Sequence, residues 1–393
     1  MTYIAHRARE HPPGIPQCLS QLLRDLRDQG EDLIDLGWGG PNRLPAPHVL
    51  ASVIDGCHAE DAFCSPHVLS SLPEALVEWH RSRFGVSLDR DTEVLPVWGT
   101  LEGLLAIPLA FLESGDGLLV PNPGNPQYAF LPSVVDGVAV PYVLSPSHDF
   151  LPFFDNMTPL VTPRVRALVL QLPSDPTATV GSLDTLRQAL SFCRRHDLVL
   201  IHDRRLGEIT DEGSRSPSVL EIPGAREIAV EFGSFTHTFH MAGARLGYFV
   251  GGEPLIAALG RTRGPCPLGP FLPIQRAAIH ALTHGDRDAA VEGIRVMYRE
   301  RRNALLQALA SVGWTIPPSP CTLYVWAPVP GEGDDVRFVE HCLREAGVIF
   351  TPGQAFGDEG RGYVRMDLSK EELPRLMALG DRLASALQTF LPQ

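Results

Sequence analysis

Lysine is nearly absent from this sequence. Of its 33 lysine and arginine residues, Lys370 is the only lysine. A covalent imine between a protein and a carbonyl compound requires a lysine amine, because that amine condenses with the carbonyl carbon. Any such chemistry in this chain therefore depends on Lys370. A biased codon pool is a sufficient cause of the arginine excess, but the chemical consequence is the same.

Other features are also missing, and each absence excludes a class of function. No apolar run reaches the length of a membrane span, and the N-terminal segment MTYIAHRAREHPPG lacks the apolar core of a signal peptide. We therefore expect a cytoplasmic protein. The formal net charge of -13 disfavours nonspecific binding to nucleic acid or to anionic membranes. A small-molecule ligand is the remaining expectation.

The seven cysteines form no CxxC pair and have no metal-ligand spacing. This pattern predicts reduced thiols and no metal site. The length of 393 residues predicts two packed domains, because one hydrophobic core stops growing below that size. Apolar strand-like segments alternate with amphipathic helical segments through the middle of the chain, which predicts a βαβ order throughout and a parallel sheet covered by helices.

The predicted division of the chain has three parts. Residues 1–35 are an N-terminal arm, residues 36–270 are a large α/β domain, and residues 271–393 are a bridging helix and a small α+β domain. The last part is predicted from long helical runs such as AAVEGIRVMYRERRNALLQALASVG, followed by the strand-like pieces TLYVWAPV and GYVRMDLS.

Three strand ends carry residues that could hold an anion. In an open α/β sheet, ligands bind at the carboxyl ends of the strands, and here these ends carry VWGTLEG, LIHDRRL and FGSFTHTFHMAGARLG. Gly99 and Thr100 begin a predicted helix, whose backbone N–H groups suit a phosphate. Ser234 and Arg245 complete this predicted anion cup. The alternative is an ordinary glycine turn with Arg245 in a surface ion pair.

An extended resemblance covers nearly the whole chain, from DLIDLGWGGPNRLPAP to GYVRMDLS, in order and at matching spacing. The sequence resembles the fold-type I, class I and II aminotransferases, and most closely the LL-diaminopimelate aminotransferase branch. The resemblance implies an α/β fold with a mostly parallel sheet in the large domain and a smaller C-terminal α+β domain. It also implies a pyridoxal phosphate site and a homodimer in which each site is completed by the other subunit.

The resemblance assigns roles to matching positions. Asp203 matches the aspartate that pairs with the pyridinium nitrogen of pyridoxal phosphate. Arg365 matches the arginine that binds the substrate carboxylate, and Gly39 lies in the loop that touches substrate. The matching phosphate ligands are those of the anion cup, namely Gly99, Thr100, Ser234 and Arg245.

Other positions depart from the family pattern. The lysine of the SxSK motif, which forms the Schiff base, is His237 in SFTH. The asparagine that hydrogen-bonds the cofactor's ring oxygen is Asp175, and the tyrosine on the same oxygen is Leu206. The aromatic residue that stacks on the ring is Asn125. Leu101 replaces the lysine that follows the phosphate-binding residues in the diaminopimelate branch.

Three functions remain open after these substitutions. In the first, an enzyme of specialised biosynthesis acts on an amino-acid-like carboxylate without normal transamination. His237 is then the acid or base, and pyridoxal or pyridoxamine phosphate is bound non-covalently. In the second, the pocket works without a cofactor and takes another ligand. In the third, the chain is a non-catalytic homologue that binds a metabolite or partner, and His237 is inert. Further candidates at the mouth of the site are Trp38, Arg204, Arg205 and His240.

Overall fold

A computed structural model describes residues 17–390 except 38, 65–66, 212, 265–267, 322 and 332. Trp38 therefore lies outside the described residues. Within the described ranges, no helix has the length and apolarity needed to cross a membrane. No group of histidine, cysteine or acidic residues among the described positions is arranged to hold a metal ion. Cys57 and Cys64 are free thiols, and so are two buried cysteines, Cys193 and Cys342. Cys321 is also buried.

A seven-stranded sheet forms the centre of the larger half of the protein. Its strands lie in the order β2-β8-β7-β6-β5-β3-β4, and every neighbouring pair is parallel except those that include β8. The strands are β2 (Val94–Val97), β3 (Gly117–Asn122), β4 (Val138–Val143), β5 (Val165–Gln171), β6 (Val199–Asp203), β7 (Ala229–Ser234) and β8 (Gly247–Gly251).

The fold class predicted from the sequence is confirmed, with one correction. The prediction of βαβ order throughout is wrong at β8, which runs antiparallel to both neighbours. The backbone N–H of Phe235 donates to the carbonyl of Leu246 at 3.2 Å, so the segment between β7 and β8 returns to its starting point. Because it does not cross a face of the sheet, the next strand runs in the opposite direction.

A second, four-stranded sheet lies in the smaller half, in the order β1-β10-β11-β9. The N-terminal strand β1 pairs in parallel with β10, although more than three hundred positions separate Ile34 from its partner Val348. The predicted domain limit at residue 36 falls within β1, and the domain limits stay a prediction. The strands are β1 (Ile34–Leu36), β9 (Tyr324–Pro328), β10 (Val348–Pro352) and β11 (Tyr363–Asp367).

Helices cover both sheets, and their limits follow local sequence signals. Ser182 and Thr185 form a capping box at the start of α7. The carboxylate of Asp334 caps α12, which ends at Gly347 in the left-handed conformation that glycine favours. The helices are α1 (Gln17–Asp28), α2 (Pro47–His58), α3 (Ser71–Phe84), α4 (Gly99–Phe111), α5 (Pro126–Phe130), α6 (Phe154–Met157), α7 (Leu183–Arg195), α8 (Phe235–Thr238), α9 (Glu253–Arg261), α10 (Leu272–Thr283), α11 (Arg287–Ser311), α12 (Asp335–Ala346), α13 (Leu373–Met377) and α14 (Leu379–Phe390).

The central strands are buried on both faces. Leu168 of β5 and Leu200 of β6 belong to one core cluster, whereas Ile201 and Phe232 belong to the cluster on the opposite face. Each of these side chains stabilises the fold by about 1.5–3 kcal/mol relative to an exposed position. The two layers hold the carboxyl ends of β6 and β7 in fixed positions, which is where the candidate site lies.

Candidate active site

The predicted anion cup begins with a contact that only glycine permits. Gly99 starts α4 with a φ of +77°, and a Cβ atom there would lie 3.1 Å from the backbone of Arg245. Thr100 follows in the first turn of the helix, where backbone N–H groups favour anions. Because Gly99 touches Arg245, the end of β2 and the start of β8 meet at this position.

Ser234 lies at the adjacent strand end. It pairs with Gly247, two residues after Arg245, and its hydroxyl oxygen accepts the N–H of Thr236 at 3.2 Å. Ser234 thus caps the short helix α8. The side chain of Arg245 is exposed. Together with Leu101 and neighbouring apolar residues, it lines a groove of about 550 Å³.

A buried three-residue cluster, here called the ring cluster, lies at the end of β6. The hydroxyl of Tyr128 donates to one carboxylate oxygen of Asp203 at 2.6 Å. The other oxygen accepts from Nε of Arg205 at 2.8 Å and from the backbone N–H of the same arginine at 3.1 Å. Nη2 of Arg205 also donates to the Tyr128 hydroxyl at 3.0 Å. Both oxygens of Asp203 therefore have donors from this chain.

Charge within the ring cluster reinforces this arrangement. Burial raises the pKa of Tyr128, and the Asp203 carboxylate raises it further, so the phenol stays protonated. Burial disfavours the charge on Arg205, but Asp203 and Tyr128 outweigh it and raise the pKa of the guanidinium. The cluster is thus a carboxylate bound by one permanent cation and one neutral donor.

A second buried cluster, here called the carboxylate cluster, joins the two halves of the protein. Nη1 of Arg365, on β11, donates to Asp175 Oδ1 at 2.8 Å. The other oxygen of Asp175 accepts from the Asn125 amide at 2.8 Å. Asn125 also caps α5 through its side-chain oxygen. The structure brings Asn125, Asp175 and Arg365 together, and the new carboxylate at position 175 occupies one edge of the arginine.

Aromatic rings enclose the Arg365 guanidinium. Its central carbon lies 4.4 Å from the ring centroid of Tyr324 and 4.8 Å from that of Phe356. Burial alone would lower the pKa of Arg365, but Asp175 and other neighbours raise it above the ordinary value. The guanidinium is therefore a fixed cation at this end of the site. Its Nη2 also donates to the carbonyl of Gly37, at 3.4 Å, in the predicted substrate loop.

His237 lies in α8, three residues after Ser234. The residue is partly exposed, and its Nδ1 is buried without a hydrogen-bond partner among the described residues. Burial, the charge of Arg205 and the charge of His240 lower the pKa of His237 to about 3. The imidazole is therefore neutral near pH 7.

His240 lies in a separate cavity. Its backbone has a φ of +53°, and its Nε2 is buried without a partner in the described part of the chain. The cavity measures about 210 Å³ and is also lined by Arg43 and Met297. Burial, followed by the charges of Arg301 and Arg43, lowers the pKa of His240 to about 4. Its link to His237 is electrostatic.

Arg204, one of the candidates for the mouth of the site, has a packing role instead, which is the alternative that the sequence favours for it. Its guanidinium is buried, donating to Glu208 at 3.0 Å and to the carbonyl of Ser216 at 2.9 Å. The same glutamate accepts from Arg83 at 2.7 Å and from Arg295 at 2.9 Å. Consecutive arginines therefore serve different clusters, since Arg204 binds Glu208 whereas its neighbour binds Asp203.

The remaining predicted positions lie around these clusters. Gly39 is exposed, and the side chain of Lys370 covers it so closely that a Cβ atom at Gly39 would clash with Lys370. Nζ of Lys370 pairs with Asp35 at 2.7 Å. Leu206 is buried in the core of the smaller half. Sequence reasoning missed the role of Tyr128, although its position two residues after the proline in PGNPQY was the available signal.

Comparison with known proteins identifies the family. The family model "Aminotransferase class I and II" matches residues 31–378. The chain belongs to the class I and II aminotransferase family. It is 35% identical to the LL-diaminopimelate aminotransferase of Desulforudis audaxviator over 98% of this chain and 97% of that protein. It is also 35% identical to the putative aminotransferase AatC of Rhizobium meliloti, over 93% of this chain and 91% of that protein.

Solved structures agree with this assignment. Apo-BacF from Bacillus subtilis superposes with a TM-score of 0.91 at 27% identity, covering 98% of each chain. An aspartate aminotransferase mutant from Thermus thermophilus gives a TM-score of 0.89 at 27% identity, covering 98% of this chain and 100% of that one. The resemblance to the aminotransferase family and to its diaminopimelate branch is confirmed.

The family implies pyridoxal phosphate, and the site fits this group only in part. The anion cup has the helix start and hydroxyl that a phosphate requires. The other end does not fit the ring, because the Arg205 guanidinium already lies on Asp203 as its counterion and a protonated ring nitrogen there would meet a like charge. Asp175 is a carboxylate where a phenolate oxygen would lie, and like charges repel. With the only lysine paired to Asp35, the residues do not fit the cofactor as a whole.

Proposed function

We propose that this aminotransferase-family protein is an enzyme that moves a proton on an amino-acid-like carboxylate, with His237 as the acid–base residue and without a Schiff base. The proposal extends to specialised biosynthesis in the cytoplasm. The observation that carries it is the neutral, partly exposed imidazole of His237, which the resemblance matches to the lysine of the family's SxSK motif.

The environment of His237 supports a role as a general base. Because Nδ1 is buried, it carries the ring proton in the reactive tautomer, and Nε2 on the partly exposed side of the ring accepts a proton from a bound substrate. The resulting imidazolium then returns that proton to the product. Such proton transfer contributes about 10²–10⁴-fold to the rate in enzymes. Ser234 holds the backbone of α8 and thereby orients the imidazole.

The carboxylate cluster supports an amino acid as substrate. Arg365 is a fixed buried cation, which suits a carboxylate. Asp175 is bound to the same guanidinium. A ligand carboxylate that approaches Arg365 is therefore repelled by Asp175 unless the ligand also carries a positive charge. An amino acid meets both conditions, because its ammonium group can approach Asp175 while its carboxylate approaches Arg365. The carbonyl of Gly37 accepts from Arg365 at 3.4 Å, so the loop that includes Gly39 begins beside this cation.

The amine of such a substrate has a different role than in transamination. A Schiff base consumes the substrate amine, whereas an ammonium bound to Asp175 stays intact and positively charged. The substitution of carboxylate for amide at position 175 thus agrees with the loss of lysine at position 237. Both changes favour a substrate that keeps its amine throughout the reaction.

A second candidate is an enzyme that holds pyridoxal or pyridoxamine phosphate non-covalently. The anion cup favours it, since Gly99 and Ser234 are both retained at strand ends that meet. The ring cluster counts against it, because Arg205 is already bound to the Asp203 carboxylate. Equilibrium dialysis with pyridoxal phosphate and with inorganic phosphate separates the candidates, because the cofactor binds more tightly than phosphate only if its ring contributes.

We also propose that the enzyme is a homodimer. The groove beside Arg245 exposes Trp98 by 46%, Leu101 by 50% and Leu109 by 51%. Apolar surface of this kind on a soluble protein is typical of an interface. Light scattering coupled to size-exclusion chromatography should give twice the chain mass, and a monomer at micromolar concentration would contradict the assignment.

The acid–base role is tested with two variants and a panel of substrates. Wild type, His237→Ala and the control His240→Ala are incubated in D₂O with amino acids and the carboxylates derived from them, without cofactor. NMR then follows deuterium incorporation and product formation. We expect conversion by wild type and by His240→Ala, and a loss of about 10²-fold or more in His237→Ala. Equal conversion by His237→Ala would show that the imidazole is not the base.

A further inference from the structure

The two arginines after Asp203 differ in what they bind. Arg204 belongs to the cluster around Glu208, which holds α3, α11 and the segment after β6 together. Arg205 turns to the opposite side and makes all of its described side-chain hydrogen bonds within the ring cluster. Its side chain is only 10% exposed. Arg205 does not take part in the cluster around Glu208, so that cluster does not explain why this cation is buried.

The contacts of Arg205 have the chemistry of a protonated ring nitrogen. Its Nε–H is a positively charged donor that points at one oxygen of Asp203 from 2.8 Å. A pyridinium N–H on that carboxylate would be a donor of the same charge. The second oxygen is bound by Tyr128 at 2.6 Å. A protonated ring entering this position would bring a second positive charge beside Arg205, and like charges disfavour each other.

The planar guanidinium also fills space beside Asp203. Arg205 lies close enough to His237 to depress the pKa of that imidazole, and its carbon lies 6.0 Å from the ring of Phe232 in the core. Asp203 and Phe232 are paired residues of β6 and β7. The guanidinium therefore lies beside the carboxyl ends of these two strands, and β7 leads into the short helix that carries His237.

We propose that Arg205 replaces the cofactor's protonated ring nitrogen on Asp203 and thereby excludes the pyridine ring from this site. The inference rests on the proposed function, because it explains how the site keeps a buried Asp203 without a cofactor. Removal of either partner would leave an uncompensated buried charge. Arg205 therefore serves both as the permanent counterion of Asp203 and as the residue that decides which ligands enter.

The proposal is tested by restoring the lysine with and without Arg205. Three proteins are prepared: His237→Lys, His237→Lys with Arg205→Ala, and His237→Lys with the surface substitution Arg164→Ala as a matched arginine deletion. Each is incubated with pyridoxal phosphate, reduced with borohydride, and analysed by intact mass and peptide mapping at position 237. The readout is covalent occupancy, so it does not depend on turnover of any substrate.

We expect occupancy at position 237 to be about tenfold or more higher without Arg205 than in the other two proteins. Equal occupancy in all three, whether high or absent, would overturn the proposal, because Arg205 would then not control entry of the ring. Circular dichroism melts establish that each variant is folded. If Arg205→Ala does not fold, His237→Lys with Arg205→Gln replaces it, and the same difference is expected because the shorter amide vacates the position.

The result is independent of the proposed acid–base function. If covalent occupancy is equal in all three proteins while His237→Ala still loses turnover, only the role of Arg205 is overturned. A tenfold gain in occupancy together with full turnover in His237→Ala would support the role of Arg205 and reject the role of His237.

Discussion

Arg365 and Asp175 form a buried ion pair across the two halves of the protein, with 2.8 Å between Nη1 and Oδ1. Arg365 comes from the four-stranded sheet and Asp175 from the segment after β5 of the seven-stranded sheet. Both side chains are almost fully buried. The arginine that the resemblance matches to the carboxylate ligand is thus paired with an internal carboxylate, and we propose that this pair selects ligands that also carry a positive charge.

Replacing Asp175 with asparagine should alter ligand preference. The amide keeps an oxygen for Arg365 but removes the negative charge that favours a substrate ammonium. We expect Asp175→Asn to bind an amino acid about tenfold more weakly relative to its deaminated carboxylate analogue. Isothermal titration calorimetry with both ligands gives the ratio. An unchanged ratio would mean that Asp175 does not contact the substrate amine.

Replacing Tyr128 with phenylalanine should destabilise the fold through Asp203. The substitution removes a hydroxyl that donates to a buried carboxylate at 2.6 Å. A hydrogen bond to a charged group contributes about 1.5–3 kcal/mol to the free energy of unfolding. Tyr142→Phe is the matched control, because that hydroxyl donates to a neutral carbonyl, of Val169, at 2.9 Å. Urea denaturation should show the larger loss for Tyr128→Phe, and an equal loss would contradict the ring cluster's charge.

The cluster around Glu208 should contribute to stability and not to ligand binding. Glu208→Ala leaves three arginines around a vacant buried position, so we expect a loss of about 3–5 kcal/mol in the free energy of unfolding. Burial raises the pKa of Glu208, but the arginines lower it below its ordinary value. The stabilisation is therefore fully present above the ordinary value of 4.5 and is lost as the pH falls through the lower folded pKa.

That pH dependence gives a second readout for Glu208. Acid unfolding followed by circular dichroism should be steeper in wild type below pH 4.5 than in Glu208→Ala, because the variant has already lost this stabilisation. Parallel acid transitions in the two proteins would show that Glu208 is not held ionised by the arginines.

His237 should remain neutral across the physiological pH range. Its pKa of about 3 lies below the ordinary value of 6.5, so the unfolded chain binds a proton between these values and the folded protein does not. Folded-state stability therefore decreases as the pH falls from 6.5 toward about 3. In a histidine NMR titration, the resonance that disappears in His237→Gln should not shift between pH 5 and 8. A midpoint near 6.5 would contradict the neutral imidazole.

The sequence predicts the strands of the site and the polar residues at their ends well, because short local patterns mark both. Continuous apolar segments such as LVLIHD mark strands that are buried on both faces, and the polar residue at the end of each strand marks the ligand edge. This pattern predicts Ser234 as a ligand residue, whereas the roles of Asp203 and His237 come from the resemblance to the aminotransferase family. The departure at His237 needs only the residue type, since an imidazole cannot replace an amine in imine formation.

The contacts within the site were less predictable because they join distant parts of the chain. Asp175 and Arg365 are 190 positions apart, and Tyr128 and Asp203 are 75 apart. Nothing in the dipeptide Arg204–Arg205 indicates which side chain enters the site. The direction of each is fixed by a buried acidic partner, Glu208 or Asp203, that only the packed structure brings within reach.

The central claim is that this family member works without a lysine-bound cofactor, and one measurement addresses it directly. Wild-type protein, purified with and without added pyridoxal phosphate, is examined by visible absorbance and then by intact mass after borohydride reduction. We predict no retained pyridoxal absorbance and no covalent adduct in either preparation. A stoichiometric adduct at Lys370 would contradict it.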